Sequence, residues 1–326
     1  MKVLFIYRHP DMGYSIGKVF RPIEEEMKKY AEVDSIYLPV PNYSIKGLVR
    51  NIRTAQNAAH KKQYDVIHIT GTEHYLLPFL KNPHKVVTVH DLGFYTQKKF
   101  SIRIFLKYIL FIRALRCAQK VIFISDFSKK EAETLLQFKN GQSLVIPDPV
   151  DKHFKRVDKV FNVHNPTILQ IGTKANKNLE RVAEALENIH CHLRIIGKLS
   201  ESQVKILHQY HIDYSNVYDL SDEGIKQEYE NCDIVCFPSY YEGFGMPIIE
   251  GQAVGRVVVT SNLSPMKEVA ADSAILVDPM NPKSIRKGLL IAQQEHATYV
   301  KKGFANVEKY NVQKIARQYL DVYKAL

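Results

Sequence analysis

Short runs of apolar residues alternate with amphipathic stretches along most of the 326-residue chain. The apolar runs are rich in Val and Ile and nearly continuous, which is typical of strands buried on both faces of a parallel sheet. They read KVLFIY, YDVIHIT, KVVTVHD, KVIFIS and SLVIPD in the first half, and TILQIG, HLRIIG, NVYDL, CDIVCFPS, RVVVTS and SAILVD in the second. Helical patterns such as IGKVFRPIEEEMKKY and SKKEAETLLQF lie between them. This alternation predicts an α/β protein.

The alternation is interrupted once, at the charged and proline-bearing stretch PDPVDKHFKRVDKVFNVHNP. Two βαβ series joined by such a linker predict two doubly wound, Rossmann-like domains that face each other. We assign residues 1–150 to an N-terminal domain, 151–310 to a C-terminal domain and 311–326 to a closing helix. The last segment has apolar residues at helical spacing, namely Val312, Ile315, Ala316, Tyr319, Val322 and Tyr323.

Composition and charge narrow the class of protein. The chain is 45% hydrophobic and 24% charged, which are globular values. No apolar run approaches the roughly 20 residues of a membrane-spanning helix, and the N-terminus lacks a signal-peptide pattern. Of the net charge of +11, residues 1–150 contribute +10, with 23 Lys and Arg against 13 Asp and Glu. This asymmetry predicts a polyanionic partner for the first half, either nucleic acid, anionic lipid or a phosphorylated substrate.

The four cysteines are scattered through apolar stretches, and no nearby His or second pair completes a zinc site. We interpret Cys117, Cys191, Cys232 and Cys236 as buried thiols in a reducing cytoplasm. The chain also contains no Asp-x-Asp pair, through which metal-dependent transferases hold a divalent ion on a diphosphate. We therefore expect no metal site.

A basic amphipathic stretch, QKKFSIRIFLKYILFIRALRCAQK, covers residues 97–120. On a helix, one arc would carry Phe100, Ile104, Tyr108, Phe111, Ile112 and Leu115, and the other Lys99, Arg103, Lys107, Arg113 and Lys120. One interpretation is a contact with an anionic membrane or a lipid-linked acceptor. The other is a helix packed on its sheet with a solvated basic face, which we favour for the apolar arc.

The strongest chemical signal is the stretch YYEGFGMPIIE, which follows the predicted strand CDIVCFPS. Pro247 suits the first turn of a helix, and Gly243 and Gly245 leave backbone amides uncovered just before it. A helix N-terminus with free amides suits an anion or sugar hydroxyls, and the carboxylates of Glu242 and Glu250 suit vicinal diols. The alternative is a simple tight turn followed by a solvated Glu250.

The stretch EGFGMPIIE resembles the Glu–seven residues–Glu motif of the retaining glycosyltransferases of family 4. Further stretches resemble this family in the same order, namely VVTVHDL, VIFISDFSKKE, VIPDPVD, ILQIGTKANKNLERVAEAL, YDLSDEGIKQEYENCDIVCFPS and SNLSPMKEVAADSAILVDP. The resemblance covers nearly the whole chain and is strongest over residues 165–280. It implies the GT-B fold, in which an N-terminal acceptor-binding domain and a C-terminal domain for the nucleotide-sugar donor face each other across a cleft.

The resemblance also implies roles for matching residues. Glu242 would contact hydroxyls of the donor sugar, Glu250 the ribose, and Lys177 the diphosphate, while His90 would face the sugar near the reacting bond. Further donor contacts are implied for Thr173 and Asn176, for the loop residues Gly243, Phe244, Gly245 and Met246, and for Gly13 and Gly17 in the loop after the first strand. Thr173 departs from the family, which often has an arginine there.

These observations favour a metal-independent retaining glycosyltransferase without a cofactor. Its donor would be a UDP- or GDP-hexose, and its acceptor a glycan or lipid-linked molecule in the synthesis of a cell-surface polysaccharide or glycolipid. We expect a cytoplasmic protein, at the inner membrane face if the basic N-terminal domain contacts anionic lipid. A nucleic-acid-binding protein and a non-catalytic GT-B subunit remain as alternatives. The absence of a recognised nucleic-acid motif speaks against the first, and the complete residue set against the second.

Overall fold

The computed structural model describes residues 1–12, 15–82, 84–92 and 108–326. Contacts divide the chain into two compact units. The first comprises Met1–Pro149 together with Val312–Leu326, and the second Val150–Asn311. The last segment therefore packs with the N-terminal unit, although it follows the C-terminal unit in sequence. No helix among the described residues is long and apolar enough to cross a bilayer.

The first unit contains a parallel six-stranded sheet with the order β2-β1-β3-β4-β5-β6. Its strands are β1 (Lys2–Tyr7), β2 (Glu32–Tyr37), β3 (Val66–Ile69), β4 (Lys85–Val89), β5 (Lys120–Phe123) and β6 (Ser143–Val145). All but β2 were predicted from continuous apolar runs. Strand β2 is an edge strand with no fully buried residue, so its sequence, EVDSIY, has no such run.

The second unit contains a parallel six-stranded sheet with the order β12-β11-β10-β7-β8-β9. Its strands are β7 (Thr167–Ile171), β8 (His192–Ile196), β9 (Tyr214–Val217), β10 (Ile234–Phe237), β11 (Val257–Ser261) and β12 (Ile275–Val277). All six correspond to predicted strands. Two parallel sheets with helical connections confirm the doubly wound α/β class expected from the sequence.

Ten α-helices connect or flank these strands in the described part of the chain. They are α1 (Ser15–Met27), α2 (Ile45–Lys61), α3 (Asp126–Leu135), α4 (Leu179–Leu186), α5 (Glu201–Gln209), α6 (Asp222–Asn231), α7 (Met246–Val254), α8 (Met266–Ala270), α9 (Pro282–Val307) and α10 (Val312–Lys324). Helix α10 is amphipathic, as its periodicity predicted, and it buries its apolar face in the first unit. In that unit, β1 alternates between two cores: Leu4 and Ile6 face one, and Phe5 and Tyr7 the other.

The basic stretch does not form one helix as far as Lys120, so that part of the prediction was wrong. Tyr108–Ile112 forms a π-helical turn, Arg113–Cys117 a 3-10 turn, and Lys120 begins β5. The chain must leave the helical path because β5 pairs with β4 from Lys120 onward. Phe111, Ile112 and Leu115 are buried in the first unit's core, which agrees with a packed apolar arc. Residues 97–107 lie outside the described residues.

The cysteines agree with the prediction of buried thiols. Cys191, Cys232 and Cys236 are buried, Cys117 is partly exposed, and none of the four forms a disulfide. Burial raises the pKa of Cys191 to about 11 and that of Cys232 to about 12, so these thiols remain protonated and unreactive at neutral pH.

Candidate active site

The loops that carry the predicted donor residues follow β7 and β10. These two strands are neighbours, and the strand order reverses between them, because β8 lies on the other side of β7. Ligands of open parallel sheets bind outside the carboxyl ends of the strands at such a reversal, where the two connections leave in opposite directions. The loop after β7 carries Lys177, and the loop after β10 carries Glu242.

Three predicted residues meet at this point of the second unit. The ammonium of Lys177 donates to Glu242 Oε1 at 2.6 Å. The side-chain amide of Asn176 donates to the same oxygen at 3.2 Å and to the Tyr241 carbonyl at 2.9 Å. The Lys177 and Glu242 side chains are 19% and 16% exposed, so the pair is shielded yet open to a ligand. Lys177 Nζ also lies 4.6 Å from the centroid of the Phe237 ring, a cation–π distance.

The position of Lys177 depends on two residues that sequence reasoning missed. Gly172 has a φ of +87°, and a Cβ atom there would lie 2.9 Å from Lys177 Cγ. Only glycine therefore lets the lysine side chain cross the backbone at the end of β7. The buried Gln170 side chain donates to the Lys177 carbonyl at 2.8 Å. Gly172 was visible as the glycine of TILQIG, but nothing in the sequence showed what lies over it.

The loop after β10 leads into the N-terminus of α7, where Pro247 occupies the first turn as predicted. Gly245 precedes the helix with a φ of 121°, a conformation that disfavours other residues. The Phe244 side chain is buried, with its ring 5.7 Å from that of Tyr310. Gly243 and Met246 flank this segment. The predicted loop and helix N-terminus are therefore present, and binding of a ligand by their amides stays a prediction.

Glu250 lies one turn into α7 and is not a simple solvated helix residue. Its Oε2 accepts a hydrogen bond from the Tyr229 hydroxyl at 2.5 Å. Burial and the Glu250 charge raise the pKa of Tyr229 well above its usual range, so the hydroxyl keeps its proton and donates it to the carboxylate. Tyr229, on α6, is fully buried and was not identified from the sequence. The tyrosine fixes the orientation of the carboxylate.

Thr173 occupies the position where the family often has an arginine. Its hydroxyl donates to the Lys198 carbonyl at 2.7 Å, and its own carbonyl accepts from the Gln203 side chain at 2.8 Å. The Thr173 side chain also packs closely against Gly197, because a Cβ atom on that glycine would lie 3.0 Å from Thr173 Cγ2. The hydroxyl proton of Thr173 is thus used within the unit, and its role in donor binding stays a prediction.

His90 follows β4 in the first unit. Its Nε2 donates to the Thr70 carbonyl at 3.0 Å, and its Nδ1 lies 3.7 Å from Asp148 Oδ2. Burial alone would lower the pKa of His90, but the Asp148 carboxylate, the Thr70 carbonyl and Asp91 together raise it above its usual value. The imidazole is thus oriented by residues of its own unit. Its place beside the donor sugar stays a prediction.

The two glycines predicted for the first loop have different outcomes. Gly17 lies inside α1, so its placement in a loop was wrong. The helix begins at Ser15, and a Cβ atom on Gly17 would meet nothing within 4 Å, so packing does not require glycine there. Gly13 lies outside the described residues. Neither position is thereby tested as a donor contact.

Comparison with protein families gives two adjacent matches. The family described as Glycosyltransferase Family 4 matches residues 18–154, and the family described as Glycosyl transferases group 1 matches residues 151–303. The two matches together span residues 18–303, which include most of each unit and the segments that carry Lys177, Glu242 and Glu250.

Individual relatives are similar over much of the chain. O-antigen chain mannosyltransferase B of Escherichia coli is 22% identical over 279 residues, which is 75% of this chain and 72% of the relative. Sucrose-phosphate synthase of Thermosynechococcus elongatus superposes with a TM-score of 0.80 at 18% identity, covering 100% of this chain and 98% of that one. HepE of Anabaena, in a crystal structure with UDP and glucose, superposes with a TM-score of 0.78 at 17% identity and covers 100% of both chains. The structural matches establish a shared fold, that of the GT-B glycosyltransferases.

Proposed function

Because the chain belongs to glycosyltransferase family 4, we propose that it is a metal-independent retaining hexosyltransferase that uses a nucleotide-diphosphate sugar. The observation that carries the proposal is the meeting of Lys177, Asn176 and Glu242 at the strand reversal of the second unit. The N-terminus of α7 and the oriented Glu250 follow directly in the same loop and helix. A cation, a carboxylate, a glycine-containing loop and a helix N-terminus match the diphosphate and hydroxyl groups of such a donor.

Lys177 is suited to link the sugar and the leaving phosphate. An ammonium carries three N–H donors, and Glu242 accepts one of them. The remaining donors can bind phosphate oxygens without breaking the ion pair. In our proposal Glu242 holds donor-sugar hydroxyls while Lys177 and the α7 amides stabilise the charge that develops on the departing phosphate. The acceptor hydroxyl attacks on the face from which that phosphate leaves, and the phosphate takes its proton.

The remaining donor contacts follow from the same arrangement. The Glu250 carboxylate, oriented by Tyr229, would accept hydrogen bonds from the ribose hydroxyls. We place the hexose donor among UDP- and GDP-sugars, since a similar structure binds UDP and glucose and a relative is a mannosyltransferase. The acceptor is a glycan or lipid-linked molecule of a cell-surface polysaccharide, assembled on the cytoplasmic side of the membrane. The excess positive charge of residues 1–150 supports contact with an anionic membrane surface.

Thermal unfolding in the presence of nucleotides tests the donor class. A ligand that binds only the folded protein stabilises it by RT ln(1 + [L]/Kd), or about 2.7 kcal/mol at a hundredfold excess over Kd. We expect UDP or GDP, and the matching sugar nucleotide, to raise the melting temperature. ADP, which carries a different base, is the control and should raise it less. If no nucleotide raises the melting temperature at millimolar concentration, the proposed function is wrong.

Removal of metal ions should leave transfer largely intact. The sequence has no Asp-x-Asp pair, and in our proposal Lys177 and the α7 amides supply the positive charge at the diphosphate. The measurement is the rate of donor turnover with and without EDTA, using the sugar nucleotide identified by thermal unfolding. Activity that EDTA abolishes and Mn²⁺ restores would contradict the assignment of the diphosphate site.

A further inference from the structure

The sheet of the first unit has a reversal of its own, and a buried carboxylate lies beside it. Strands β1 and β3 are neighbours, while β2 lies on the other side of β1, so the order reverses between β1 and β3. The chain after β3 runs through Thr70 and Thr72 to Glu73. Glu73 therefore follows the carboxyl end of β3, at the position where open parallel sheets bind ligands.

Glu73 differs from the other buried carboxylates that the structure describes in this unit. Glu24 accepts from the Tyr7 hydroxyl at 2.8 Å and pairs with Lys28 at 2.6 Å. Glu26 pairs with Lys29 at 2.6 Å, and Asp148 lies 3.7 Å from His90 Nδ1. Glu73 is only 2% exposed, and its Oε2 has no hydrogen-bond partner among the described residues. A buried acceptor without a donor is costly, which indicates a missing ligand.

Two partly exposed side chains connect Glu73 to solvent. The Thr72 hydroxyl donates to Glu73 Oε1 at 3.1 Å. Tyr43, which is 44% exposed, lies close enough to Glu73 that, besides burial, the charge of the carboxylate raises the pKa of its phenol. Two hydroxyl groups, those of the exposed Tyr43 and the half-buried Thr72, thus accompany the buried carboxyl group of Glu73. A carboxyl group accompanied by hydroxyl groups matches a polyhydroxylated molecule better than it matches an anion.

The pKa of the Glu73 carboxyl group depends on its burial and on the neighbouring polar and charged groups. Burial raises the pKa of its carboxyl to about 7, against the hydrogen bond from Thr72 and the positive charges of Arg8 and His90. The other titratable groups that interact with it are the phenols of Tyr43 and Tyr75, whose pKa values burial raises. A donor hydroxyl from a ligand would stabilise the ionised carboxylate, so binding and ionisation are coupled.

We propose that Glu73, with Thr72 and Tyr43, binds a sugar hydroxyl of the acceptor and so determines acceptor affinity. This inference rests on the proposed glycosyltransferase function, because it assigns the acceptor rather than the donor. The ligand hydroxyl donates to Glu73 Oε2, the atom that has no partner in the described residues. Glu73 is thus an acceptor-binding residue, and the donor residues of the second unit act independently of it.

The test compares Glu73→Gln with the native chain, using methyl α-D-mannopyranoside as a soluble acceptor probe. The amide keeps the side chain's size but removes its charge. We expect the KM for the probe to rise at least tenfold, because a hydrogen bond to a charged group is lost. Hydrolysis of the donor in the absence of probe should remain within twofold. Glu26→Gln is the matched control, since it removes another buried carboxylate of the same unit without changing the probe KM.

Binding of the probe, measured by ligand-observed NMR, separates this inference from the proposed function. If no sugar nucleotide is turned over but the native chain binds the probe and Glu73→Gln does not, the function is wrong and the site stands. If both proteins bind the probe equally, or the native chain does not bind it, the site is overturned. A probe KM within twofold of the native value in Glu73→Gln would overturn it as well.

Discussion

Replacement of Lys177 by alanine is expected to lower turnover by about 10²–10³-fold, the usual cost of losing one donor that stabilises transition-state charge. Affinity for the nucleotide diphosphate should fall much less. Negative charge accumulates on the departing phosphate as the glycosidic bond breaks, so an ammonium there contributes more in the transition state than in the ground state. Thr173 stands where the family often has an arginine, and a neutral threonine supplies no second cation at this position. Its hydroxyl donates a hydrogen bond to the Lys198 carbonyl.

Two variants control for this result. Lys174→Ala removes the same charge from an exposed position in the same loop and should leave turnover unchanged. Lys177→Arg should restore activity only in part, because a planar guanidinium does not replace a compact ammonium at the end of a side chain whose carbons pass close to Gly172. The measurement is kcat for transfer or donor hydrolysis, beside the Kd for the nucleotide diphosphate. Turnover within a few-fold of the native chain in Lys177→Ala would mean that the phosphate is held elsewhere.

Replacement of Glu250 by alanine is expected to weaken nucleotide binding strongly. Two ribose hydrogen bonds to a charged group are lost, each worth about 1.5–3 kcal/mol. The structure adds a second effect, since the variant leaves the buried Tyr229 hydroxyl without its carboxylate partner. We therefore also expect the free energy of unfolding to fall by about 1–3 kcal/mol, the cost of a buried polar group left unpaired.

A double variant separates the two effects of the Glu250 change. Tyr229→Phe combined with Glu250→Ala removes the orphaned hydroxyl, so stability should partly recover while nucleotide affinity stays low. Tyr229→Phe alone should weaken nucleotide binding less than Glu250→Ala, because the carboxylate remains but loses its orientation. Calorimetric titration with the preferred nucleotide measures affinity, and urea unfolding measures stability. An unchanged Kd in Glu250→Ala would refute the ribose assignment.

Much of the candidate site was predictable because its residues occupy recognisable positions next to predicted strands. Lys177 and Asn176 follow TILQIG, and Glu242 follows CDIVCFPS. The direct contact between Lys177 and Glu242 was not predicted, since the two residues are 65 positions apart. It requires β7 and β10 to be neighbours, which depends on the order of strands in the sheet. Periodicity reports the environment of a strand but not its neighbours.

Two of the features that the sequence did not predict correctly depend on strand pairing. Strand β2 has a half-exposed sequence without a continuous apolar run, and pairing with β1 makes it a strand. The basic stretch has a helical period through residue 120, yet pairing of β5 with β4 ends the helical path before Lys120. Glycine is common in loops, and Gly17 was placed in one, but it lies in α1. For β2 and the basic stretch, pairing with another strand outweighed a local preference of smaller energy.

The sequence by itself determined the α/β class, eleven of the twelve described strands, and the residues that define the family. These features depend on local patterns of apolar residues and on short motifs. Only the tertiary structure decided that α10 packs with the first unit, that Tyr229 orients Glu250, and that Glu73 Oε2 has no partner among the described residues. Each of these depends on which distant side chains burial brings together, and no local pattern of residues encodes that pairing.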